Sequence, residues 1–140
     1  DPAAAVQPFQ RELRYDNVRS AVAEEGLLRM LFREPALLAQ TEGLTAEDFS
    51  VPLFGRVYAA LRERWQNDLA ITPAALADSL SPAEMAHLTA VLQEPPLSET
   101  ALADYLRILR EERAKARVSD ASDLLAMQRD LKKKKGYGGS

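Results

Sequence analysis

The chain has 140 residues, of which 46% are hydrophobic and 28% charged, and its formal net charge is −3. This size and composition are typical of one soluble globular domain with an appendage. The absence of cysteine excludes disulfides, cysteine-based zinc sites and thiol nucleophiles, and no apolar run approaches the roughly 20 residues that span a bilayer.

Charge is divided unevenly along the chain. The segment from Arg107 to Lys135 contains ten basic and five acidic residues, so the rest of the chain is strongly acidic. The basic segment is rich in helix-forming residues and has few apolar ones. This layout indicates an acidic globular body with a protruding basic helix, which is more typical of a docking module than of an active site.

Helix-forming residues dominate, and alternating strand patterns are nearly absent. The predicted fold is therefore all-α. We expect a linker over residues 1–16, a compact bundle of about six helices over 17–109, and a protruding C-terminal helix or helical hairpin over 110–140.

The helix boundaries follow from capping residues and from prolines at first helical positions. We expect Asp16 and Ser98 to cap the first and the last major helix, and we expect capping boxes at Thr45–Asp48 and at Ser81–Glu84. The cap-rich segment 119–123 predicts a break before a final helix. The predicted helices cover residues 17–33, 35–40, 52–66, 73–80, 82–93, 99–117 and 121–135.

Several residues inside these helices allow a structural interpretation. Gly26 is interpreted as a helix-packing contact, and the pairs Glu24-Glu25 and Glu111-Glu112 as solvated helix faces. Apolar spacing places side chains of the predicted helices over residues 17–33 and 52–66 in the core. These predicted core residues are Val18, Val22, Leu27, Leu28, Leu31, Phe32, Leu53, Phe54, Val57, Tyr58, Leu61 and Trp65.

Residues that could carry out catalysis are scarce. His87 is the only histidine, and a lone histidine without other strong ligands nearby does not build a metal site. The glycines form no phosphate-binding loop. Tyr58 and Trp65 could stack bases, but their spacing favours the core. We therefore expect a non-enzymatic domain that holds no metal and no cofactor.

The last predicted helix carries an apolar stripe formed by Leu124, Leu125, Met127 and Leu131. It either folds back as a hairpin over Ala114 and Val118 or inserts into a groove on another protein. The run Lys132–Lys135 either binds phosphates or complements the helix dipole. The sequence leaves both pairs of alternatives open.

The order of three segments resembles the C-terminal, helicase-binding domain of bacterial DNA primase. These segments are Glu25–Leu38, Glu47–Tyr58 and Leu124–Gly139. The resemblance implies a non-catalytic domain in the bacterial cytoplasm that docks onto the N-terminal collar of the hexameric replicative helicase and brings primase to the fork.

The resemblance also implies site residues. The helicase-binding set is Leu124, Leu125, Met127, Gln128, Arg129, Leu131, Lys132 and Lys133. A candidate site for the acidic C-terminal peptide of single-stranded-DNA-binding protein would use Arg14, Arg19 and Arg29. The resemblance implies neither direct nucleic-acid binding nor membrane binding. The short segment between Arg117 and Leu124 would allow a swapped dimer.

Two alternatives compete with the primase interpretation. One is the N-terminal collar domain of the replicative helicase itself, which has a similar helical bundle. The other is a basic-tailed nucleic-acid-binding module, whose DNA affinity would fall steeply with salt.

Overall fold

The computed structural model describes residues 15–95 and 101–138, and for residues 131–138 it describes the backbone only. Every regular element in these ranges is helical, which confirms the all-α class. Most of the predicted linker, together with Ser98 and its predicted cap, lies outside the described residues.

The described part of the chain contains four α-helices and three 3-10 helices. The boundaries predicted at prolines agree with the structure to within one residue. In chain order the elements are α1 (Val18–Arg33), η1 (Pro35–Thr41), η2 (Ala46–Asp48), α2 (Pro52–Gln66), η3 (Pro73–Ser79), α3 (Pro82–Leu92) and α4 (Ala101–Gly138), where η denotes a 3-10 helix.

Two of the four predicted helix caps are present. The capping boxes at Thr45–Asp48 and Ser81–Glu84 are both formed. The cap of α1 is Asn17 and not Asp16, because the Asn17 side chain accepts a hydrogen bond from the Ser20 amide at 3.1 Å. The prediction of Asp16 was wrong by one residue.

Helix α1 forms the centre of the bundle. Every residue from 23 to 31 is buried, so this stretch is enclosed on all sides. Helix α4 packs along one side of α1, and α2, α3 and η1 contact it elsewhere. The core consists mainly of leucine side chains from all four α-helices. Burial of these side chains is the main favourable contribution to folding.

Three predicted core residues lie at the surface. Val18 and Val22 are 42% and 41% exposed because they lie on the outward side of the first turns of α1. Trp65 is 39% exposed because it lies in the last turn of α2, beyond the core. The chain turns away directly after it, with Asp68 in the left-handed region at a φ of 55°.

The predicted break at residues 119–123 is also wrong. Helix α4 is continuous from Ala101 to Gly138 and passes through this segment, so these residues do not form the hairpin. Serine and aspartate in a helix interior only weaken the helix by competing for backbone hydrogen bonds. No glycine or proline in this segment enforces an end.

Candidate docking surface on the last helix

The first part of α4 is held on the bundle by apolar packing against α1 and its neighbours. Tyr105 lies directly against Gly26 of α1. Among the described side chains of α4, that of Leu109 is the last one that is fully buried. The buried residues of this part are Ala101, Leu102, Tyr105, Leu106 and Leu109.

The next turns of α4 are held by ion pairs. Arg19 of α1 donates from Nη1 to Oε2 of Glu112 at 2.8 Å and from Nη2 to Oε2 of Glu111 at 2.9 Å. Lys115 adds a second cation 3.0 Å from the Glu112 carboxylate. We call the contact of Arg19 with Glu111 and Glu112 the Arg19 clasp. These two glutamates were predicted to be only solvated, and that interpretation missed their partner on α1.

The clasp shifts the pKa values of its members. Hydrogen bonds from two arginines lower the pKa of Glu111, with the larger effect from Arg19 and the smaller one from Arg107. The pKa of Glu112 is lowered first by the hydrogen bond from Lys115. Hydrogen bonds to Glu111 and Glu112 raise the pKa of Arg19. The charged forms are therefore favoured on both sides of the contact.

Beyond the clasp, α4 leaves the bundle. Arg117 lies 4.0 Å from Asp48 of η2, and every residue from 118 to 130 is exposed. We call residues 118–138 the distal arm. Among the described side chains of the arm, four large apolar ones are more than half exposed, namely Val118, Leu124, Leu125 and Met127.

The exposed apolar residues lie on two sides of the arm. By the 3.6-residue helical period, Met127 lies on the same side as Leu109, the side that faces the bundle in the first part of α4. Val118 and Leu125 lie on the opposite side by the same geometry. One neighbouring helix could not cover both sides.

The predicted helicase-binding residues all lie on this arm. Leu124, Leu125, Met127, Gln128 and Arg129 are exposed along one continuous helix. The backbone of Leu131, Lys132 and Lys133 belongs to the same helix, but their side chains lie outside the described residues. The five described side chains of this set point to different sides of the helix, by the same helical geometry.

The candidate acidic-peptide site is placed differently. Arg19 is engaged in the clasp. Arg29 is only 8% exposed and donates to the Val91 carbonyl at 3.2 Å, with Glu94 at 3.5 Å. Arg14 lies outside the described residues. Both described arginines, Arg19 and Arg29, therefore already make contacts within the domain.

Glu24 is a structural residue that the sequence interpretation missed. Its side chain is fully buried, contrary to the prediction of a solvated face. Its carboxylate accepts hydrogen bonds from the Ser20 hydroxyl, from the amide and hydroxyl of Ser50, and from the Val51 amide, at 2.6–3.0 Å. Ser50 and Val51 directly precede α2, so Glu24 caps that helix from α1.

Glu25 is also buried, and it takes part in a second polar cluster. The Tyr15 hydroxyl donates to Oε2 of Glu25 at 2.8 Å and lies 2.6 Å from Nε2 of His87. Because that hydroxyl proton is used on Glu25, Nε2 of His87 is the donor to Tyr15. The His87 ring stacks on Tyr15 and meets Phe54 edge-on. His87 therefore joins α3 to α1 and α2.

Sites for other chemistry are not found in the described part of the chain. In residues 15–95 and 101–138, no group of three or more His, Cys, Asp or Glu side chains is placed to hold a metal ion. No helix of these residues is long and apolar enough to cross a membrane. The distal arm is the candidate functional site because its apolar side chains are exposed.

The comparisons with known proteins identify the bundle. A family model described as the DnaB-like helicase N terminal domain matches residues 16–111. The matched region covers the bundle and α4 up to the first glutamate of the clasp, and it ends before the distal arm. No curated protein and no solved structure matches the chain.

This match overturns the resemblance to the primase helicase-binding domain. The matching model is the helicase collar domain, which the sequence interpretation held only as an alternative. The segments that resembled primase, Glu25–Leu38 and Glu47–Tyr58, encode packing between α1, η1 and α2. Helical bundles from different families can share the same apolar spacing. The spacing alone therefore did not distinguish a primase domain from a helicase domain. The binding roles assigned through primase lose that support.

Proposed function

Because the chain belongs to the DnaB-like helicase N-terminal domain family, we propose that it forms the N-terminal collar of a hexameric replicative DNA helicase. In this role the domain catalyses no reaction. It assembles with other copies and receives primase at the replication fork, in the bacterial cytoplasm. The observation that carries the proposal is the family match over residues 16–111, which covers the whole bundle.

The distal arm supports an assembling role. Its exposed leucines, valine and methionine lie on opposite sides of one helix. A helix that is apolar on more than one side is normally enclosed by neighbours. The bundle covers neither side beyond Arg117, since every residue from 118 to 130 is exposed. Neighbouring chains in a collar would supply the missing contacts.

The ionisable groups of the bundle support a non-catalytic role. Glu24 is fully engaged in capping α2, and Arg29 is buried against Val91. His87 and Glu25 are joined through the Tyr15 hydroxyl. These groups hold helices together and are not aimed into an open cleft.

The first test measures self-association of the 140-residue chain by size-exclusion chromatography with light scattering. Leu125→Asp removes an apolar side chain from the arm, where Leu125 is 54% exposed. Leu69→Asp is the matched control, because Leu69 is 51% exposed but follows α2 on the bundle. Burying one leucine contributes enough that its loss should weaken association about tenfold or more.

We expect the wild type and Leu69→Asp to associate and Leu125→Asp to be monomeric at the same concentration. A wild type that stays monomeric at every concentration contradicts assembly through this domain alone. Equal effects of the two variants contradict the assignment of the arm.

A second test concerns the partner. We expect the chain to bind the helicase-binding domain of primase from the same organism in surface plasmon resonance. Titration with single-stranded DNA at low and high salt is the control. A DNA affinity that falls steeply with salt, without primase binding, would favour the nucleic-acid-binding alternative.

A further inference from the structure

The two parts of α4 are held in different ways. Residues 101–109 are anchored by buried apolar side chains, whereas the following turns contact the bundle through the Arg19 clasp and the Arg117–Asp48 pair. The clasp is partly exposed, since the side chains of Arg19 and Glu111 are 44% and 42% accessible. Exposed ion pairs of this kind are weak and are screened by salt.

The distal arm has neither kind of anchor. Among the described side chains, those of residues 118–130 make no ion pair and no hydrogen bond. A helix of this length without packing is marginal in water, because its own backbone hydrogen bonds barely offset the entropy lost on folding.

We propose that Arg19 sets a folding boundary inside α4. Residues 101–117 stay folded with the bundle, whereas the distal arm, residues 118–138, folds and unfolds locally without it. Beyond the clasp, Arg117 pairs with Asp48 of η2 at the longer distance of 4.0 Å, so the clasp is the shorter of the two ion-pair contacts that hold these turns on the bundle. Without the clasp, the boundary moves back to Leu109, whose side chain is the last fully buried one among the described side chains of α4.

This boundary is independent of the family assignment, and it has a consequence for any partner of the arm. When a segment folds only on binding, the entropy lost on folding offsets part of its favourable interaction free energy. Contacts that hold the base of the arm in place reduce that loss. Arg19 is therefore a positioning residue for the arm, although it lies on α1 and not on the arm itself.

The test is amide hydrogen exchange of the 140-residue chain, followed by mass spectrometry at a concentration where light scattering shows monomer. We expect amides of residues 118–130 to exchange at least about tenfold faster than those of 101–109, because local opening costs less than opening of the bundle. Equal protection of the two segments overturns the proposal.

Two variants test the role of Arg19. Arg19→Gln should speed exchange of residues 110–117 about twofold to tenfold while leaving 101–109 unchanged. The matched control is Arg56→Gln, because Arg56 is an exposed arginine paired with Glu84 elsewhere on the bundle. It should leave residues 110–117 unchanged.

The double variant Glu111→Gln/Glu112→Gln removes the clasp from the other side and should reproduce the effect of Arg19→Gln. Unchanged exchange of residues 110–117 in both clasp variants overturns the boundary role of Arg19. The same effect in Arg56→Gln also overturns it, because the change would then reflect general destabilisation.

Discussion

Gly26 of α1 and Tyr105 of α4 lie so close together that no side chain fits on Gly26. A Cβ added there would lie 2.2 Å from Cζ of the Tyr105 ring. The ring therefore packs directly on the backbone of the central helix. This contact confirms the predicted packing role of Gly26, and it shows that the glycine is required for close approach in the middle of a helix, where it otherwise costs stability.

Gly26→Ala should destabilise the domain by up to about 2 kcal/mol. Alanine is intrinsically better in a helix by about 1 kcal/mol. Displacing a buried ring should cost more than this gain, since overpacking typically costs about 1–3 kcal/mol. Urea unfolding followed by circular dichroism measures the change in the free energy of unfolding.

A double variant isolates the contact. Tyr105→Leu shortens the side chain that faces Gly26, so Gly26→Ala should be less harmful in this background than in the wild type. Additive effects of the two substitutions would show that the cost of Gly26→Ala arises elsewhere.

Glu24→Gln should destabilise the domain by about 2–4 kcal/mol, although the two side chains have the same shape. The carboxylate accepts four hydrogen bonds, whereas the amide group of glutamine would point a donor at other donors. Glu47→Gln, at an exposed position of η2, is the control and should change stability by less than about 0.5 kcal/mol. Similar losses in the two variants would contradict the capping role.

The sequence was sufficient to predict most of the helices. Proline at a first helical position and the capping boxes act locally, so the starts at Pro52 and Pro82 were predicted correctly. The break predicted near Ser119 is absent from the structure. Cap-forming residues end a helix only where turning the chain lowers its free energy.

Burial of charged residues was harder to predict. Glu24 has the same local sequence signal as a solvated glutamate, and its acceptor role depends on Ser50 and Val51, far away in the chain. The Arg19 clasp likewise joins residues separated by more than ninety positions. Pairings of this kind depend on the tertiary arrangement of α1 and α4, which helical periodicity does not encode.

The clasp should respond to acid. Hydrogen bonds from Arg19 and Arg107 lower the pKa of Glu111 below its ordinary value of 4.5. A carboxyl group with a lowered pKa contributes stability that is present above the unfolded value and is lost as the pH falls through the folded value. The clasp should therefore be intact at neutral pH and open only below about pH 4.5.

Carboxyl-carbon titration by NMR tests this expectation. The pKa of Glu111 should lie below 4.5 in the wild type and move towards 4.5 in Arg19→Gln. Glu84 is the internal control, because its pKa is lowered by hydrogen bonds that do not involve Arg19. The larger effect comes from the backbone amide of Ser81 and the smaller one from the Arg56 side chain. An unchanged Glu111 pKa in the variant would mean that Arg107 alone holds this carboxylate.

The border between the bundle and the distal arm should also appear in stability measurements. Leu109→Ala removes a fully buried side chain and should cost about 2–4 kcal/mol, because it leaves a cavity in the core. Val118→Ala, at a position 67% exposed, should change the free energy of unfolding by less than about 0.5 kcal/mol. Urea unfolding of the monomer provides both values. A large loss in Val118→Ala would mean that the arm packs on the bundle in solution, and the arm would then not be free to meet neighbouring chains.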